Sequence, residues 1–70
     1  MSIKEGDKFT HISNDSKFSH NIMTVMKVGK DNSKREREDV VHFKTQIPVD
    51  GETEHDARAW WFLDYCIKIV

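Results

Sequence analysis

One cysteine, one proline and three glycines in 70 residues leave little room for several familiar kinds of protein. A single thiol, Cys66, excludes an internal disulfide and fits a reducing compartment. The glycines stand apart at Gly6, Gly29 and Gly51, so no glycine-rich loop is present to cradle a phosphate. The histidines, His11, His20, His42 and His55, show no HxH or HxxxH spacing, and no CxxC accompanies them. No apolar run approaches the length that spans a bilayer, and the opening MSIKEGDK lacks the hydrophobic region of a signal peptide. Charge of one sign is also lacking. Charged residues are 33% of the chain but sum to −1, which is not the footprint of a protein held to nucleic acid mainly through phosphates. These absences point to one small cytoplasmic domain with no cofactor, no metal and no catalytic centre.

What is present concentrates at the end. Ala57 to Val70, ARAWWFLDYCIKIV, holds both tryptophans and the one tyrosine without a Gly or Pro. It is expected to supply the main apolar mass. Ile67-Lys68-Ile69 alternates as a half-buried strand does, and its β-branched residues fit a pleated surface. Arg58 to Trp61 alternates in part, and Phe62 to Tyr65 suits a single 3₁₀ turn, so the stretch reads as strand, turn, strand. Its rival is one amphipathic helix capped by Asp56, with Ala57, Trp60, Trp61 and Leu63 inward.

Upstream, Gly6 offers the positive φ that turns the chain into a strand over Asp7–Ile12 anchored by Phe9. Residues 13–20 form a loop rich in Ser, Asn and Asp, with Phe18 as a lid on the core edge. Residues 21–28 are apolar on both sides, the mark of a central strand or a bulge. Residues 29–39 are a polar, charge-neutral hairpin loop, in which Lys34 with Glu38 and Arg35 with Asp39 pair if a helical turn forms. In residues 40–46, Val41, Phe43 and Thr45 face one way and Val40, His42 and Lys44 the other, and Pro48 is expected to stop that strand. Residues 48–56 read as an acidic loop turning at Asp50-Gly51; Glu52, Glu54 and Asp56 share one face if extended.

In this order, GDKF at the start, a strand ending Val28-Gly29, VVHF, a one-turn element before Asp64-Tyr65 and a final IKIV, the chain resembles the SH3-like barrels. WWFLDYCIKIV is similar to the strand, 3₁₀ turn and strand that close such folds, and the Gly-Asp pair is similar to KOW-type openings. The resemblance implies an all-β, five-stranded antiparallel SH3-like barrel over residues 1–70. In size and style the chain also resembles the small accessory proteins of phages and prophages, which implies a protein that binds and modulates a host protein. SH3 peptide grooves use a Trp at the start of a strand and a Pro-Tyr motif after it. Here Trp60 and Trp61 are adjacent and Phe62-Leu63-Asp64 stands in place of Pro-Ser-Asn, so binding of proline-rich peptides is not carried over.

Candidate binding residues are aromatic: Trp60, Trp61, Phe18 and Tyr65. On a strand, Trp60 and Trp61 point to opposite faces, leaving one outside or under a loop. The alternative is a nucleic-acid surface on Lys27, Lys30, Lys34, Arg35, Arg37 and Lys44, by stacking on a basic face. A small core and an aromatic-rich final strand also suggest a homodimer. Cys66 sits among apolar residues, as a small hydrophobe rather than a nucleophile.

Overall fold

The computed structural model describes residues 3–30 and 35–69. Five antiparallel strands form one sheet: β1 (Lys8–His11), β2 (Met23–Gly29), β3 (Val40–Val49), β4 (Glu52–Arg58) and β5 (Cys66–Ile69), in the order β4-β3-β2-β1-β5. A 3₁₀ turn, Glu36–Glu38, precedes β3, and a short helix, α1 (Ala59–Tyr65), separates the last two strands. The final strand therefore returns beside the first, pairing Ile69 with Lys8 and Cys66 with His11. The expected all-β, five-stranded antiparallel class is what the chain adopts.

β2 is central and carries the bulge its sequence suggested. Val25 pairs with Phe43 and Lys27 with His42, so Met26 is the extra residue. Before the bulge Met23 and Val25 point inward; after it Val28, not Lys27, reaches the core. One inserted residue explains why the run looks apolar on both sides.

Three expectations are corrected. Residues 52–58, read largely as loop, are a seven-residue strand with Glu52, Glu54 and Asp56 on its exposed side. Asp50 and Gly51 both have positive φ, 55° and 81°, the type I′ geometry that closes a tight hairpin and makes the pairing possible. Pro48 does not end β3, which runs on to Val49. The β3–β4 ladder skips from Lys44 to Val49, and Pro48 sits inside that bulge, where its missing N–H is harmless. Asn21 holds this irregular stretch in place of a strand neighbour. It is 3% exposed, its Nδ2 donates to the Ile47 carbonyl at 2.8 Å, and the Ile47 N–H donates to its Oδ1 at 2.9 Å.

The third correction concerns Ala57–Val70. The strand stops at Arg58, and Ala59 to Tyr65 forms two turns of α-helix instead of a strand followed by one 3₁₀ turn. Seven residues with no β-branched side chain favour this, and β5 begins where isoleucines resume. The Ala59 N–H donates to the Asp39 carbonyl at 2.8 Å, which fixes the helix start without a side-chain cap; Asp56 does not cap it. Nor is this stretch the main apolar mass. Ala59 and Phe62 are buried, but Trp60, Tyr65, Ile67 and Ile69 are exposed. The core is shared with Ile3, Phe9, Met23, Val25, Val41 and Phe43. Phe62 is its hub, with ring centroids 5.2 Å from Phe9 and 5.1 Å from Phe43.

Candidate functional site

The loop between β1 and β2 is stitched by its own serines. Ser16 Oγ accepts from the Phe18 N–H at 3.1 Å, Ser19 Oγ accepts from the Ser16 N–H at 3.1 Å, and Ser19 Oγ donates to the Ser13 carbonyl. Lys17 pairs with Asp50 at 2.6 Å and ties the loop to the β3–β4 turn. This fastening turns Phe18 inward, edge-on to Phe43 (5.8 Å), His55 (5.4 Å) and Trp61 (5.1 Å). Phe18 is a half-buried lid, as its isolation in a polar loop suggested.

Helix α1 brings the tryptophans to the same place. Because they are on a helix, Trp60 and Trp61 are not on opposite faces but about 100° apart around the axis, a consequence of 3.6 residues per turn. Trp61 is half-buried and lies nearly parallel to Phe43 at 5.7 Å. Trp60 is the outer one, 37% exposed. Together Phe18, Phe43, Ala57, Trp60 and Trp61 line a cleft of about 280 Å³, with Asp56 and Arg58 at its rim. Tyr65 does not line it. It stands 47% exposed at the end of α1, edge-on to Trp60 at 6.2 Å and stacked on His11 at 6.3 Å. Three of the four aromatic candidates thus meet in one cleft and the fourth adjoins it.

The rim is held by polar contacts. Arg58 donates to the Glu38 carbonyl at 2.7 Å, and Asp56 contacts His42 across the β3–β4 ladder. Arg37 grips Asp64 through both guanidinium nitrogens, at 3.1 and 2.6 Å, and so clamps the 3₁₀ turn to α1. The hydrogen bond from Arg37 holds the Asp64 carboxyl below its ordinary value, and the same bond to Asp64 raises the Arg37 guanidinium.

Among the described residues the basic candidates do not form one patch. Arg37 is committed to Asp64, and Lys30 to the buried Asp39 at 3.1 Å. Arg35 is exposed just before the 3₁₀ turn, whereas Lys27 and Lys44 lie on the outer side of the sheet. Lys34, and with it the Lys34–Glu38 pairing, falls outside the described residues.

Burial pushes the Cys66 thiol up to about 12, which keeps it protonated at neutral pH. Among the described residues no three of His, Cys, Asp and Glu gather to hold a metal ion, and no helix is long and apolar enough to cross a membrane. What sequence reading missed is the part played by Phe43 and Ala57 as cleft walls. The inward pattern of β3 marked Phe43 as core; its second role depends on Phe18 and Trp61 leaving one side of that core open. Comparison with protein-family models, with curated proteins and with solved structures returned no match.

Proposed function

We propose that this chain is a non-catalytic binding module that accepts an apolar side chain of a protein partner between Phe18, Trp60 and Trp61. The carrying observation is the convergence of these aromatics, from a loop and a helix distant in sequence, on one cleft. Its volume, about 280 Å³, suits one or two side chains. An aromatic pocket with a polar rim has the anatomy of an interface hot spot, where an anchor residue is surrounded by contacts that exclude water. Trp60 is part wall and part exposed, so partner contact would cover it.

The strand order, with β5 beside β1 and a short helix ahead of β5, supports assigning the domain to the SH3-like barrels. The cleft uses the β1–β2 loop and the element before the last strand, but through Trp60, Trp61 and Phe18 rather than a Pro-Tyr motif. The partner is therefore read as a segment with an apolar anchor, not a proline-rich one. Acting by occupancy, a module of this kind fits the role of a small phage-type accessory protein that occludes or recruits a host protein.

Selection of a displayed random-peptide library on the wild-type chain, followed by counter-selection on Trp60→Ala, tests this. Enriched peptides should share an aliphatic or aromatic residue, shift tryptophan emission, and bind Trp60→Ala at least about tenfold more weakly, the cost of losing one modest hot spot. No enrichment, or equal binding to a folded Trp60→Ala protein, overturns the reading.

A further inference from the structure

The outer face of the sheet carries apolar side chains beside charges of both signs. Ile22, Met26, Ile67 and Ile69 stand exposed on it. Lys8, Lys27 and Lys44 stand there as well, and among the described residues none of the three is ion-paired. The contrast with other cations is direct: Lys17, Lys30, Arg37 and Lys68 each have a carboxylate partner. Lys8 rests on the Thr24 hydroxyl at 3.2 Å, and Lys44 is in register with Glu54 without forming a pair. On the same face the edge strand β4 presents Glu52 and Glu54, exposed and likewise without an ion pair among the described residues. A groove of about 450 Å³ on this face is lined in part by Lys8, Ile22, Thr24, Met26 and Lys44.

We infer that this face binds a second copy of the chain, sheet on sheet, with lysines of one copy against glutamates of the other. The register shows how. Lys8, Thr24, Lys44 and Glu54 lie in one row across β1, β2, β3 and β4. A two-fold axis parallel to the strands, between the stacked sheets and over the β2–β3 boundary, reverses that row. Glu54 of the second copy then lies over Lys8, Lys44 of the second copy lies over Thr24, and each contact occurs twice, as an isologous interface requires. The same operation lays Ile22 and Met26 against β3 of the second copy and removes them from water. The geometry is that of aligned sheet packing, with about 10 Å between faces.

The charge pattern favours this occupant over nucleic acid. The carboxylates share the face with the lysines and repel phosphate, and the net charge of −1 gives no general attraction to a polyanion. Two copies of a nearly neutral chain approach without long-range repulsion. The surface is separate from the aromatic cleft, since Lys8, Ile22, Met26 and Glu54 do not line it.

Sedimentation velocity on the full chain at low ionic strength, with circular dichroism to confirm folding, tests the inference. The wild type should run as a dimer whose apparent Kd rises with salt, because exposed charges are screened. Lys8→Glu and Glu54→Lys should each raise it by about tenfold or more, each placing like charges opposite one another twice. An equimolar mixture of the two variants should recover the dimer, because both contacts are then complementary. If a reversed variant does not fold, the near-isosteric Lys8→Gln and Glu54→Gln should each weaken association more mildly. A wild type that stays monomeric at the highest soluble concentration overturns the inference, as does a dimer indifferent to all these changes or a mixture that stays monomeric. Binding of a labelled single-stranded oligonucleotide at low salt, lost in Lys8→Glu, would assign the face to nucleic acid instead.

Discussion

On its inner face the sheet sets Phe9, Met23, Val25, Val41 and Phe43 against Phe62, each 1% exposed or less; on its outer face the same strands present Lys8, Thr24, Met26 and Lys44 to solvent. The inner face is satisfied in its polar groups. Every fully buried side-chain nitrogen and oxygen among the described residues has a partner, including Asn21 on Ile47 and Thr45 on the Thr53 carbonyl. Among the described residues the outer face leaves Lys8, Lys27, Lys44, Glu52 and Glu54 without an ion pair, and its isoleucines are exposed. A single sheet layer can have one satisfied face from within; the other must be satisfied by water or by another molecule. The aromatic cleft lies where the inner face runs out of cover, at the gap between the β1–β2 loop and α1.

The largest effect should come from Phe43→Ala, which tests the inner face. Phe43 touches Phe62, Phe18, His55 and Trp61, so its loss opens the core and the cleft together. A buried Phe→Ala change costs about 3–5 kcal/mol, comparable to the whole stability of a domain this size at about 0.05–0.15 kcal/mol per residue. Loss of cooperative thermal unfolding is the expected result, and a variant with near-native stability would show that the core is not organised as described.

The tryptophans sharpen the comparison because they straddle its boundary. Trp61 is stacked on Phe43, so Trp61→Ala should cost about 2–3 kcal/mol in urea denaturation, below the full core range because one side of the ring faces the cleft. Trp60→Ala should cost well under half of that, and iodide should quench Trp60 more strongly than Trp61. Asn21→Ala comes next, at about 1–3 kcal/mol, since it strips two hydrogen bonds from a bulge with no strand neighbour on that side. If Asn21→Ala proves neutral, the bulge around Pro48 is held by the hairpin alone.

Cys66 probes the half-buried margin of the core. Its thiol is raised above its ordinary value, toward about 12, by burial. The folded state therefore holds the proton more tightly than the unfolded chain. That contribution is fully present below the unfolded value, about 8.5, and is lost as pH rises from there toward 12. Alkylation of the folded protein should stay slow through neutral pH and speed up only under alkaline conditions or on unfolding.

Much of the inner face was legible in the sequence. Val41, Phe43 and Thr45 alternate cleanly, Phe9 anchors β1, and the Asp50-Gly51 turn carries its own signal. The bulge at Met26 was written as blurred alternation. The misreadings share a cause. β4 is an edge strand whose alternate positions are Glu52, Glu54 and Asp56, so its strand character comes from pairing with β3 rather than from hydrophobic pattern. α1 is too short to show a helical period, and its aromatics carry strand propensity that the Ala59–Asp39 contact and packing of Phe62 override. Phe18, Trp60 and Trp61 were singled out as residues, but their meeting in one cleft depends on that helix. The balanced charge of the polar segments concealed which cations are paired, because Lys30 and Arg37 find carboxylates in the fold while, among the described residues, Lys8, Lys27 and Lys44 do not.

The smallest predicted effect concerns the clamp between the 3₁₀ turn and α1. Arg37 and Asp64 are both largely solvent-exposed, so their bidentate pair contributes little despite good geometry. What it leaves is a signature in pH. The Asp64 carboxyl is depressed below its ordinary value by the Arg37 hydrogen bond. Its contribution is therefore present above the usual aspartate range, and it fades as pH falls through the depressed value. Thermal midpoints of wild type and Asp64→Asn should differ slightly at neutral pH and converge in acid. Because the clamp presses α1 toward the 3₁₀ turn, the same variant should loosen Trp60 and broaden its emission before it lowers the midpoint. A constant difference between the two proteins down to strongly acidic pH would mean that Asp64 acts through packing on the helix rather than through its charge.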